Sequence, residues 1–243
     1  MTTARGGRGR QTGKAGKGGK ARDAGPVARL PEVRLPALRP YGGGELEPEE
    51  DYDGLDFSDA DFAGQSGKGA YFGDCGLYRC ALDETLLGRA RMVDCVLDGV
   101  RGVGTDLSEA SLRGVEVRDA RFGGVQLHGA VLERVLVKGG KIDYLNARKA
   151  VLKDVTFDGC VLSEADFGGA RLERVVFRDC VLRRVDFTGT QMTDVDLRTV
   201  AELDIARGVE RLSGAIVTPS QLLDLAPAFA AAIGLRVEAP PAD

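Results

Sequence analysis

Apolar side chains recur at every fifth position from Phe57 to Leu197 without a change of phase. The series begins Phe57, Phe62, Gly67, Phe72, Leu77, Leu82, Leu87, Met92 and Leu97, and passes through Leu112, Val137, Phe157, Phe167, Phe177 and Phe187. Within it Gly67, Gly102 and Ala147 lack a large apolar side chain. A second register lies two residues earlier and is small: Ala60, Ala70, Cys75, Cys80, Thr85, Ala90, Cys95 and onward to Val195. A period of five matches neither the 3.6 of a helix nor the 2 of a strand. It predicts a chain that turns a corner once per unit, with both registers pointing inward and the other three residues facing water.

The unit is small–x–(Leu/Phe)–x–x, and the run CVLSEADFGGARLERVVFRDCVLRRVDFTGT at 160–190 shows it most regularly. These residues resemble the pentapeptide-repeat family, with its A-(D/N)-L-x-x consensus. The resemblance implies an all-β solenoid, a right-handed quadrilateral β-helix with four units per coil and about seven coils. Residues twenty apart then stack about 4.8 Å from one another along the axis. Phe157 falls over Phe177 and Phe167 over Phe187. At Ala147 the partner two earlier is Leu145, so large and small have exchanged places and volume is roughly kept. Gly67 with Gln65, and Gly102 with Val103 and Gly104, leave the core underfilled. Local bulges or loops are predicted near 64–69 and 101–104.

The flanks read differently. Residues 1–24 are rich in Gly, Lys and Arg without an aromatic, which predicts a disordered tail. Residues 25–54 pass from a Pro-spaced stretch to a Gly and acidic linker. Leu and Val of that stretch are expected along the first coil, with Tyr52, Leu55 and the segment from Leu30 to Leu38 as candidates for the N-terminal cap that an open strand edge needs. The repeats occupy 55–200, and 201–217 reads as an irregular final coil. Residues 218–235 read as helix, with Thr218 as N-cap, Pro219 at the first helical position and Gly234 as the stop. Pro227 is expected to kink that helix or to begin another. Residues 236–243 form a short tail. Leu222, Leu223, Leu225, Phe229 and Ile233 make the helix strongly apolar, either as a lid over the last coil or as a dimer contact. Pairing through a C-terminal helix is what the resemblance implies.

Charge changes the picture along the chain. The net value of −4 hides ten Lys/Arg against Asp23 and Glu32 in residues 1–40, or +8. Residues 51–110 sum to −7 and residues 111–200 to +2. The acidic end includes Asp74, Asp83, Glu84 and Asp94. Arg134, Lys138, Lys141, Arg148, Lys149 and Lys153 fall within about one coil and form a basic belt on all four faces. Val96, Leu136 and Val176 are expected to project outward from one face. No apolar run is long enough to span a bilayer, so no membrane role is implied. The five cysteines all belong to the small register, read as buried thiols acting as small hydrophobes, and fit a reducing cytoplasm. His128 falls at an outward position without partners placed by pattern. Neither a metal nor a cofactor is implied, and nothing in the spacing suggests an enzyme.

Function follows the resemblance: a non-catalytic protein-binding scaffold. Known members are rod-shaped dimers similar to duplex DNA in size and charge that bind DNA gyrase or topoisomerase IV, so those enzymes are the leading partners. A DNA mimic needs continuous negative charge, which this chain's mixed belt interrupts. Nucleic-acid association through residues 1–24 and the basic belt is the alternative, and a purely structural rod is another.

Overall fold

The computed structural model describes residues 27–239; the basic tail at 1–24 lies outside the described residues. Residues twenty apart pair in parallel, with Val131–Lys138 bonded to Ser111–Arg118 on one side and Val151–Asp158 on the other. Ten rungs follow one another along one side, from Arg39–Pro40 to Ala215–Ile216, so the chain makes about nine turns. That exceeds the expected seven because the cap and the final coil each add a turn. The rod is about 43 Å long. The four faces are numbered by their inward columns, beginning with Phe57, Phe62, Gly67 and Phe72. Long strands such as Arg171–Arg178 run across the fourth and first faces. The second face carries its own six-stranded sheet. On the third face single bridges connect Asp106, Gln126, Asn146, Asp166 and Asp186.

The inward columns are buried as the pattern requires. Phe57, Phe62, Phe72, Phe167, Phe177 and Phe187 are essentially inaccessible. Phe157 and Phe177 stack with centroids 5.0 Å apart, and Phe167 and Phe187 stack at 5.5 Å. Every fifth residue from Asp59 to Asp194 has φ between +48° and +74°. These left-handed residues make the corners, and many are Asp, Glu, Arg or Lys rather than Gly. Their N–H groups bond across to the next coil, as Asp59 does to Tyr78 O (2.8 Å) and Arg79 to Asp98 O (2.8 Å).

The small register does more than leave room. The Cys80 thiol donates to Phe57 O (2.8 Å), and the Thr85, Thr105 and Thr190 hydroxyls donate to the carbonyls of Phe62, Leu82 and Phe167 at 2.7–2.8 Å. The cysteines are therefore donors to backbone carbonyls of the coil below as well as small hydrophobes. Burial pushes the Cys80 thiol up to about 11. The thiol one rung away, with burial added, pushes Cys95 and Cys160 up as well. Cys80, Cys95 and Cys160 are therefore poor nucleophiles at neutral pH.

Neither predicted bulge forms. Arg101–Val103 pairs in register with Arg121–Gly123. A Cβ on Gly102 would meet Thr105 Oγ1 at 2.2 Å, so the threonine hydroxyl already occupies that space. At Gly67 the ladder also continues, and Leu46 of the cap packs beneath it. Gln65 accepts the Leu46 N–H (2.8 Å) and donates to Asp61 O (3.0 Å), which explains a polar residue in the small register. The irregularity lies instead at the C-terminal end. There Val181 pairs with Glu202, one residue beyond the usual spacing, and the register shifts again before Asp186 meets Arg207.

Both ends are closed by aromatic or helical caps. Tyr52 stacks on Phe72 at 5.0 Å, and Tyr41 lies over Phe57 at 4.5 Å. At the other end the helix α1, Pro219–Ala232, has Thr218 and Gln221 in a capping box. Gln221 Nε2 also donates to Leu197 O at 2.8 Å, tying the helix to the last coil. Beyond it, Gly234 and Leu235 donate to Ala231 O and Ala230 O in a left-handed stop. The helix continues as one element through Pro227; no second helix begins there.

The N-terminal segment does not stay on the first coil. The Arg39 N–H bonds to Gly54 O, whereas the Arg29 N–H bonds to Asp154 Oδ1 at 3.1 Å, five coils further along. Five coils span about 24 Å, within reach of ten extended residues at about 3.1 Å each. Ala28 and Pro31 are buried along this path. Asp154 is only 3% exposed and receives Arg174 Nε and Nη2 at 2.7 and 2.9 Å. Those bonds hold its carboxyl below the usual range against the opposing effect of burial, with Arg29 adding to them.

Two predictions follow from this packing. An apolar cavity of about 70 Å³ lies where Val117, Val137 and Ala147 meet, between the Phe-rich ends. Val137→Ile adds one methylene there and raises stability by up to about 0.8 kcal/mol, read as a higher melting temperature; a fall would mean the cavity cannot accept it. Asp154→Asn removes the buried one of Arg174's two carboxylate partners and costs about 2 kcal/mol at neutral pH, below the fully buried range because Arg174 keeps Glu173 and contact with water. Because the native carboxyl is depressed, its contribution is complete above about pH 4 and fades as pH falls through the native value. Urea unfolding at a series of pH values checks this: the parent loses more stability on acidification than the variant.

Candidate interaction surface

Outward side chains are stacked as strictly as inward ones, so surface chemistry is organised in columns. Opposite charges twenty apart form ion pairs between adjacent coils. Arg79 reaches Asp59 at 2.7 Å, Arg113 reaches Glu133 at 2.8 Å, and Arg184 reaches Glu164 at 2.6 Å. Arg178 and Asp158 repeat the arrangement at 3.5 Å. The Arg79 hydrogen bonds hold the Asp59 carboxyl below its ordinary range, and Arg113 does the same for Glu133. Exposed pairs of this kind add little stability each, but a coil slipped by one unit would lose them, since Arg79 would then face Gly54 or Gly64 and Arg184 would face Gly159 or Gly169.

The acidic candidates do not form one patch. Asp74 and Asp94 are corner residues between the fourth and first faces. Asp83 lies on the second face, where it accepts the Val103 N–H at 2.9 Å, and Glu84 takes the following corner. The basic belt is likewise spread around the rod. Arg134 and Lys149 are corner residues, Lys138 lies on the first face, Lys141 on the second, Arg148 on the third and Lys153 on the fourth. Arg148 is engaged with Asp166 at 3.4 Å. A flat partner meets only part of such a belt.

The apolar candidates need correction. Val96 stands on the outward side of the first face, yet it is 6% exposed, and Leu136 and Val176 are half-buried. The N-terminal strap passes the adjoining corner, where Leu30, Pro31 and Glu32 line a cleft with Asp94, Gly114 and Arg134. Val96 is thus part of the packed exterior rather than a free contact residue. His128 is exposed, as expected.

The helix residues divide in two. Leu225 is buried and Phe229 half-buried, and α1 packs on the short turn Val209–Arg211. Leu222, Leu223 and Ile233 are exposed, with Leu223 at 74%. The helix therefore serves as a partial lid and still presents apolar side chains to solvent.

One column was missed by reading charges locally. Arg101, Arg121 and Lys141 occupy consecutive rungs of the second face, with Ala81 before and Val161 after. Lys141 contacts Asp143 at 2.7 Å. Among the described residues Arg101 and Arg121 have no carboxylate partner. Reading outward positions at intervals of twenty would have exposed the run. Beside it the surface is dished at Gly123 and Val103, forming a groove of about 610 Å³.

Among the described residues no group of three or more His, Cys, Asp or Glu is arranged to hold a metal, and no helix is long and apolar enough to cross a membrane.

Comparison with known proteins agrees with the coil geometry. Residues 70–147 match the family model for a pentapeptide repeat region, and residues 160–198 match the model for pentapeptide repeats in eight copies. No curated protein matches by sequence. Among solved structures, a trypsin-treated variant of QnrB1, a plasmid-mediated fluoroquinolone resistance protein, is 20% identical, with 79% of this chain and 91% of that chain covered at a TM-score of 0.39. HetL, a pentapeptide repeat protein involved in heterocyst differentiation regulation from the cyanobacterium Nostoc sp. strain PCC 7120, is 17% identical, with 72% and 92% covered at a TM-score of 0.35. Neither likeness says what this chain binds. The five-residue register, the four-sided coil it builds and the two family models together place this chain among the pentapeptide-repeat proteins.

Proposed function

We propose that the chain is a non-catalytic scaffold for a protein partner in the cytoplasm, with DNA gyrase or topoisomerase IV the partner that the family resemblance nominates. The observation that carries this reading is the set of outward columns, whose chemistry changes from face to face on a hydrogen-bonded framework. Such faces are pre-organised, so a partner docks without paying to order them. The mixed charge described above argues against simple imitation of a duplex. Asp59 and Asp83, for example, are already engaged by Arg79 and the Val103 N–H.

The exposed side of α1 supports pairing of two copies through Leu222, Leu223 and Ile233, with Leu225 and Phe229 holding the helix to the coil. A second reading, nucleic-acid association, draws on the +8 of residues 1–40 and on the outward belt.

Supercoiling assays with purified gyrase test the first reading: the full chain is expected to inhibit supercoiling or to relieve quinolone inhibition. No effect on gyrase or topoisomerase IV removes both as partners. Duplex binding that collapses with salt and vanishes on deletion of residues 1–24 would favour the second reading. Sedimentation velocity tests pairing. Leu223→Glu is expected to convert a dimer to a monomer without lowering the melting temperature, and a monomeric parent rules the helix contact out.

A further inference from the structure

Elsewhere on the rod, cations that neighbour each other in a column have carboxylates bonded within the pair: Arg118, beside Lys138, holds Glu116 and Asp98. Arg178 has Asp158 and Arg198 has Asp196, although the two arginines are one rung apart. The column Arg101–Arg121–Lys141 departs from this, with three cations on successive rungs and two guanidiniums without an ion pair among the described residues. Like charges directly opposite each other on a sheet are unfavourable. Departures of this kind from an otherwise consistent pattern concentrate at functional positions.

The surroundings fit an anionic ligand with an apolar side. All three cations are exposed, and Val103 beside them is 65% exposed. Gly123 leaves the groove open; a Cβ there would meet only the Val103 methyls, at 3.6 and 3.9 Å. The two nearby carboxylates are spoken for, Asp83 by the Val103 N–H and Asp143 by Lys141.

Spacing selects the form of the ligand. The three charges repeat about every 4.8 Å and span about 10 Å. On a helix rising 1.5 Å per residue, acids at i, i+3 or i+4, and i+7 span about 10.5 Å along one face. Acids on one side of an extended strand repeat about every 6.8 Å and span about 14 Å. We propose that the Arg101–Arg121–Lys141 column is a docking site for an acidic helix of a partner protein, with Asp or Glu at helical spacing on the cations and an apolar side chain over Val103. This deepens the scaffold reading and rests on it, while naming a different face from the C-terminal helix.

Helical peptides of equal composition test it by fluorescence anisotropy against the full chain. Their glutamates are placed either at i, i+3 and i+7 or at i, i+2 and i+4. The helical spacing is expected to bind at least about tenfold tighter, about 1.4 kcal/mol, and Arg101→Gln with Arg121→Gln is expected to abolish that preference. The melting temperature of this double variant should equal or exceed the parent's, since a repulsion is removed, which separates lost docking from lost folding. Equal binding of the two peptides, no binding by either, insensitivity to the double variant, or a preference for duplex DNA overturns the proposal. A double variant that still acts on gyrase in the supercoiling assay would leave the scaffold reading intact and show that this column does not serve it.

Discussion

The vertical separation of about 4.8 Å between rungs governs everything else in this molecule. It lets backbone groups of each coil bond to the coils above and below, as in the parallel run from Ser111–Arg118 to Arg171–Arg178. It also brings every side chain into contact with those twenty residues away. An inward position is thus filled as a column, which is why Phe157 and Phe177 lie nearly parallel. The square section is maintained by a left-handed residue at each corner. For residues with a side chain that conformation costs about 1–2 kcal/mol. The inter-coil hydrogen bond made by the same residue's N–H offsets it, and the neighbouring rungs leave little alternative.

The same separation disciplines the exterior. Ion pairs such as Arg79–Asp59 and Arg184–Glu164 contribute more to choosing the register than to total stability. Polar side chains take part too, since Asn146 Nδ2 donates to Gln126 Oε1 at 2.7 Å on the third face. On this background an uncompensated column stands out in a way that an isolated exposed arginine would not.

How far the sequence discloses the structure depends on whether an interaction repeats. Leu112, Phe157 and Phe187 recur in phase, so their burial is legible from spacing alone. The corner residues also recur, but through backbone conformation shared by Asp, Glu, Arg, Lys, Tyr and Gly, and hydrophobicity does not mark them. Gly102 misleads for a different reason: its empty place is taken by the hydroxyl of Thr105, three residues on. The contacts of the cap are singular. Tyr41 over Phe57, Leu46 beneath Gly67 and Arg29 against Asp154 occur once each and leave no periodic trace. The surface is partly legible. Positions of the belt residues follow from the register, whereas the burial of Val96 on the outward side does not.

That strap alters how the rod can come apart. In a simple stack each turn touches only its neighbours, so the ends fray independently and melting spreads inward step by step. The bond between Arg29 and Asp154 joins residues 125 apart in sequence and crosses five turns. Unwinding of the first turn therefore pulls on the middle of the stack, and loosening of the middle frees the entrance. A nearest-neighbour chain has become a loop, and half of the molecule is expected to open as one cooperative block.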